Sequence, residues 1–119
     1  MTAPRWVAIW FRVAAVYGVV ALLASLTQPA PSLGALTHYG FIGTALAFQG
    51  VFWIVARDPV RHRPLMLASV AEKAAFTIPA AILLARGTVP PETALFAGID
   101  AVLGIGFLLA WRATPRGAD

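Results

Sequence analysis

Four apolar runs, each close to twenty residues, dominate this chain, and a polypeptide built that way has few ways to fold. The runs extend from about Trp6 to Leu26, Leu36 to Ala56, Leu65 to Leu84 and Thr93 to Trp111. A helix of about 20 apolar residues spans the ~30 Å hydrocarbon core of a bilayer. Proline-bearing connectors separate the runs: Gln28-Pro29-Ala30-Pro31-Ser32, Arg57-Asp58-Pro59 and Val89-Pro90-Pro91. Proline lacks the amide donor and clashes with the preceding turn, so each connector is a credible helix break. Glu92 or Thr93 starts the last helix, where an acidic group suits the positive end of the helix dipole. The strict alternation of a barrel strand is missing, and long runs rich in alanine and leucine read as helix. The expected fold is all-α: one integral membrane four-helix bundle spanning residues 1–119 as a single domain.

Composition supports this reading. Sixty per cent of the 119 residues are hydrophobic and 12% are charged, against about 45–50% and about 25% in a soluble globular chain. A small soluble domain buries too little of its surface to hide so much apolar area; a bilayer removes that difficulty. Cysteine is absent, which excludes disulfides, thiolate chemistry and cysteine metal sites. His38 and His62 are far apart with no ligand spacing between them, so no metal or other cofactor is expected. The net charge of +4 does not imply nucleic acid, because the arginines lie between apolar runs and not in one patch.

Basic residues near helix ends predict orientation. Arg5, Arg12, Arg57, Arg61, Arg63, Arg112 and Arg116 fall on one side of alternating helices, and only Arg86 falls on the other. The expectation is a bacterial cytoplasmic (inner) membrane protein with both termini in the cytoplasm. Trp6, Trp10, Trp53 and Trp111 lie toward the same face, as an interfacial aromatic belt would. The first run is long for a cleaved signal and is read as a retained span. Within Asp58-Pro59-Val60-Arg61-His62-Arg63-Pro64, the residues Arg61 and Arg63, with Arg57 just before them, are candidates for contact with anionic headgroups or for docking a soluble partner.

Small residues mark where helices approach in lipid. Gly40, Gly43, Thr44, Ala47 and Gly50 form one stripe on the second helix, Ala14, Gly18, Ala21 and Ser25 another on the first, and Ala97, Ala101 and Gly104 a third on the fourth. These are the expected packing faces. Phe41, Phe48 and Phe52 lie off the glycine stripe and are expected to meet lipid. Gln49 also lies opposite that stripe, which points it to the interface or to an oligomer contact. Arg12 is expected to snorkel to the headgroups. Pro79 should kink the third helix and free the carbonyl of Ala75.

The charges inside the runs are the most informative. A charge at the centre of a spanning helix costs about 2.5–3.5 kcal/mol on insertion scales, so such groups face the bundle interior and find partners. Ser69, Glu72, Lys73 and Phe76 share one arc of the third helix. Lys73 lies eight residues past Leu65, or about 12 Å, and Asp100 lies eleven before Trp111, or about 17 Å. The expectation is an intramembrane ion pair between Lys73 and Asp100, with Glu72 left as the unpaired acid. Burial disfavours a charged carboxyl, so Glu72 is a candidate to carry a proton, contact a cationic ligand or serve as an acid. Tyr17 and Thr77 are placed at comparable depth. The bland reading is that these groups only set helix register. No nucleophile triad can be assembled, so no catalytic residue is assigned.

The segment Asp58-Pro59-Val60-Arg61-His62-Arg63-Pro64-Leu65-Met66, followed by Glu72-Lys73 and the acid Asp100, resembles that of uncharacterised small four-helix bacterial membrane proteins, similar in layout to the DoxX-like group. The resemblance covers roughly helices two to four and implies a fold but no established activity. In length the chain is also similar to small multidrug exporters, which depend on a glutamate in the first helix; here that helix holds Arg12 and no acid. Three functions are therefore expected, in descending order. The first is a non-enzymatic bundle that binds membrane lipid or another apolar small molecule, or an accessory subunit of a larger membrane complex. The second is a proton-coupled transporter acting as a homo-oligomer. The third is an intramembrane isomerase using Glu72.

Overall fold

The computed structural model describes residues 2–117. They form four helices: α1 (Arg5–Ser25), α2 (Ala35–Arg57), α3 (Arg63–Ala85) and α4 (Thr93–Ala113), with no strand among the described residues. All four are long and apolar enough to cross a membrane. The ends fall within two residues of those read from the prolines. The two-residue offsets are at the end of α4, which runs to Ala113, and at the start of α3, which begins at Arg63 because Pro64 sits in its first turn, where a missing amide costs nothing. Gly87, at φ +69°, ends α3 in the left-handed conformation. Its amide donates to Leu84 O and that of Thr88 to Leu83 O, both at 3.1 Å, which is the Schellman pattern that satisfies orphan carbonyls. Gly34, at φ +87°, turns the chain into α2.

The helices pair as two antiparallel hairpins, α1 with α2 and α3 with α4. The hairpins meet less extensively, through α1 against α4 and α2 against α3. They close on one another at the end that carries both termini. There Phe11 stacks on Phe107 with ring centres 4.3 Å apart, and Phe52 meets Phe107 at 4.8 Å and Phe11 edge-on at 6.2 Å. Val7, Val55, Met66, Leu103 and Ala110 complete this core. Side chains toward the other end, such as Leu23, Leu36, Ile82 and Phe96, are exposed. Two further contacts lock the closed end. The Trp10 indole N–H donates to Leu103 O at 3.1 Å, lying so close over Gly106 that any side chain there would overlap the ring. Arg63 Nε donates to Thr114 O at 2.8 Å and Trp111 O at 3.1 Å, with its guanidinium 4.5 Å over the Trp111 ring. A cation on the last carbonyls of α4 opposes the negative end of its dipole.

The packing faces of α1 and α4 are those expected from their small residues: Ala14, Gly18, Ala97 and Gly104 are buried, and Ala21 and Ala101 partly so. On α2 the expectation is reversed. Gly40, Gly43 and Gly50 face open space, and Thr44 and Ala47 are exposed with them. The inward arc is Ile42, Ala45, Gln49, Phe52 and Ala56, offset by two residues and so roughly opposite. Phe52 is therefore fully buried, Phe48 is half-buried, and only Phe41 is exposed as expected. Gln49, expected to point away from the bundle, is 3% exposed. The physical reason is the large aromatic core: a phenylalanine at position 52 packs beside the stacked Phe11 and Phe107 rings and fills space that a glycine face would leave void. Of the tryptophans, Trp6 and Trp53 are exposed, whereas Trp10 and Trp111 are held in the contacts just described. Arg12 is exposed, and α3 runs through Pro79 without ending.

Candidate functional site in the open half of the bundle

Directly above the aromatic core, all four helices contribute polar groups to one place. Lys73 on α3 is the hub. Its side chain is 5% exposed, and Nζ lies 3.2 Å from Asp100 Oδ1 on α4 and 3.6 Å from Glu72 Oε2. It also stands 5.4 Å above the Phe52 ring, a cation–π distance. Gly104 allows this approach of α3 to α4, because a side chain there would come within 3.1 Å of Lys73 Cβ. Helical spacing accounts for the local arrangement: Ser69 and Lys73 are one turn apart on the buried arc, and Glu72 flanks it.

Gln49 enters from α2. Its Nε2 donates to Ala45 O at 2.8 Å, and its Oε1 has no hydrogen-bond partner among the described residues. It reaches the interior because Gly18 of α1 faces it without a side chain; a methyl group there would overlap the Gln49 amide. Glu72 Oε2 and Thr77 Oγ1 likewise accept no hydrogen bond among the described residues. Tyr17 of α1 completes the ring of polar groups around the site.

Above this cluster the splayed hairpins leave a cavity of about 370 Å³. Gln49, Glu72, Lys73, Asp100 and Tyr17 form its polar part, and Leu22, Phe41 and Phe96 are among its apolar walls. A second cavity of about 440 Å³ opens between α2 and α3, walled by Phe48, Ala68, Ala75 and Phe76. Phe41, Ala45 and Glu72 border both. Volumes of this size and mostly apolar linings with a few convergent polar groups are those of small-molecule sites.

Of the residues singled out from the sequence, Glu72, Lys73, Asp100 and Tyr17 are brought together; Thr77 lies on α3 but borders neither cavity. Arg57 at the end of α2 and Arg61 on the α2–α3 connector are exposed, while Arg63 is engaged with the end of α4. Gln49 is the site residue that sequence reasoning placed wrongly. The signal that finds it is the spacing of 42, 45, 49, 52 and 56, which competes with the glycine stripe for the inward face. Among the described residues, no three histidine, aspartate or glutamate side chains stand close enough to hold a metal ion. Comparison with protein families, with curated proteins and with solved structures finds no match.

Proposed function

We propose that this protein is a multi-pass protein of the bacterial inner membrane that binds a lipid or another apolar small molecule in the open half of its bundle, without transforming it. The observation that carries this reading is a cavity of about 370 Å³, apolar on its walls and polar at its base, held between hairpins that are tightly joined only at one end. The arginine distribution supports termini in the cytoplasm, and with that orientation the closed aromatic end lies inside and the cavity opens toward the outer leaflet. In that setting Lys73 and Asp100 act as an intramembrane ion pair that clamps α3 to α4 under the cavity. Exposed valines and leucines along α1 and α4 then face lipid tails at no cost. Native mass spectrometry from lipid nanodiscs tests the proposal. A retained small molecule or lipid is expected on the wild type and is lost in Ala21→Phe, which fills the cavity from α1; a wild-type protein that carries nothing and accepts nothing refutes it. The same spectra report the subunit count and any larger assembly.

A second reading is favoured by one observation: Glu72 borders both cavities, and its Oε2, although 3.6 Å from Lys73 Nζ, accepts no hydrogen bond among the described residues. A proton-coupled transporter needs a carboxyl in that position. Substrate uptake in proteoliposomes should then cease when Glu72 and Asp100 are both neutralised, and uptake that survives removes this reading.

A further inference from the structure

The chemistry of the polar base narrows what the cavity accepts, and this inference rests on the binding reading above. We infer that the bound molecule carries a protonated primary amine on an apolar, aromatic-compatible body. Two independent features point there. The first is charge. Glu72 and Asp100 are both within 4 Å of Lys73, the only basic residue that borders the cavity, so one ammonium faces two carboxyl groups. Ionised, the cluster has one negative charge in excess. An unpaired buried charge is strongly disfavoured, and a cation brought by the ligand balances it.

The second feature is hydrogen bonding. Gln49 is 3% exposed, borders the cavity, and its Oε1 has no partner among the described residues; its Nε2 is already spent on Ala45 O. Glu72 Oε2 is the other buried side-chain atom of the lining without a hydrogen bond among the described residues. Both are oxygen atoms able to accept, so the group they fit is a donor. A primary ammonium supplies three donors and a positive charge at once. Phe41 and Phe96 on the walls supply aromatic surface for the body attached to the cation. An anionic head finds no partner, because Lys73 is already held between the two acids. A phosphate attached to the amine, as in phosphatidylethanolamine, lacks a cation here for the same reason, which favours a free lipophilic amine over a lipid headgroup.

Calorimetric titration into phosphatidylcholine nanodiscs, corrected for empty nanodiscs, tests this with matched probes: phenylbutylamine, its trimethylammonium analogue, phenylbutanol and phenylbutyrate. The amine should bind about tenfold more tightly than the alcohol, as expected for a charged hydrogen bond. Phenylbutyrate should bind weakest, and the trimethylammonium analogue, which keeps the charge but has no N–H, should fall between the amine and the alcohol. Glu72→Gln should erase the preference for amine over alcohol while alcohol binding persists. Gln49→Leu, which keeps an apolar side chain of similar size, should weaken the amine alone and supplies the same test if Glu72→Gln fails to fold. Displacement of the amine by nanodiscs containing phosphatidylethanolamine would identify the lipid headgroup as the source of the ammonium. Equal binding of all four probes, or tightest binding of the acid, overturns the amine assignment and leaves the binding reading intact. No binding of any probe, with Ala21→Phe indistinguishable from wild type, overturns both.

Discussion

Lys73 has two acidic neighbours, whereas each acid has one ammonium, and this asymmetry predicts unequal costs for removing the partners. Lys73→Met leaves Glu72 and Asp100 facing each other with no cation; their side chains are only 14% and 18% exposed. Removing one member of a buried pair typically costs about 3–5 kcal/mol, because the survivor is left uncompensated. The substitution also forfeits the contact of Nζ with the Phe52 ring at 5.4 Å, worth about 0.5–2 kcal/mol, while Met keeps most of the stem's packing against Gly104. Asp100→Asn is milder. Lys73 then turns to Glu72, already 3.6 Å away, and the loss is that of one charged hydrogen bond, about 1.5–3 kcal/mol. Combining the two should cost less than the sum by about 2 kcal/mol, since the second change removes a carboxylate the first had stranded. The assay is reversible unfolding in mixed micelles with rising SDS, followed by circular dichroism, on wild type, both single variants and the double variant. Equal single losses that add in the double variant would show that Nζ and Oδ1 are neighbours without energetic coupling, and the clamp would be discarded.

Two further outcomes test the packing. Phe107→Ala should destabilise by about 3–5 kcal/mol, because its ring is fully buried between Phe11 and Phe52, whereas Phe41→Ala, about half exposed, should cost under about 1 kcal/mol; the same unfolding series measures both. Gly106→Ala should cost about 1–3 kcal/mol by pressing on the Trp10 indole and should alter Trp10 emission, while Gly43→Ala, which meets nothing within the monomer, should be neutral or stabilising by up to about 1 kcal/mol. A large loss at Gly43 would show that the exposed stripe of α2 is a contact after all.

The number of helices, their limits and their apolar character were legible in the chain itself, because prolines stop helices locally and twenty-residue apolar runs announce themselves without reference to neighbours. The shared arc of Ser69, Glu72 and Lys73 was legible for the same reason: helical periodicity is a property of one segment. What each helix turned inward was a different matter. On α2 two arcs competed, the glycines at 40, 43 and 50 and the series 42, 45, 49, 52 and 56, and periodicity alone favours neither. The tertiary structure decided it through the space around Phe11 and Phe107, which Phe52 fills, and through Gly18, which admits Gln49. The cavity, too, exists only because the hairpins join at one end and part at the other, a consequence of where large rings are buried across helices that are distant in sequence.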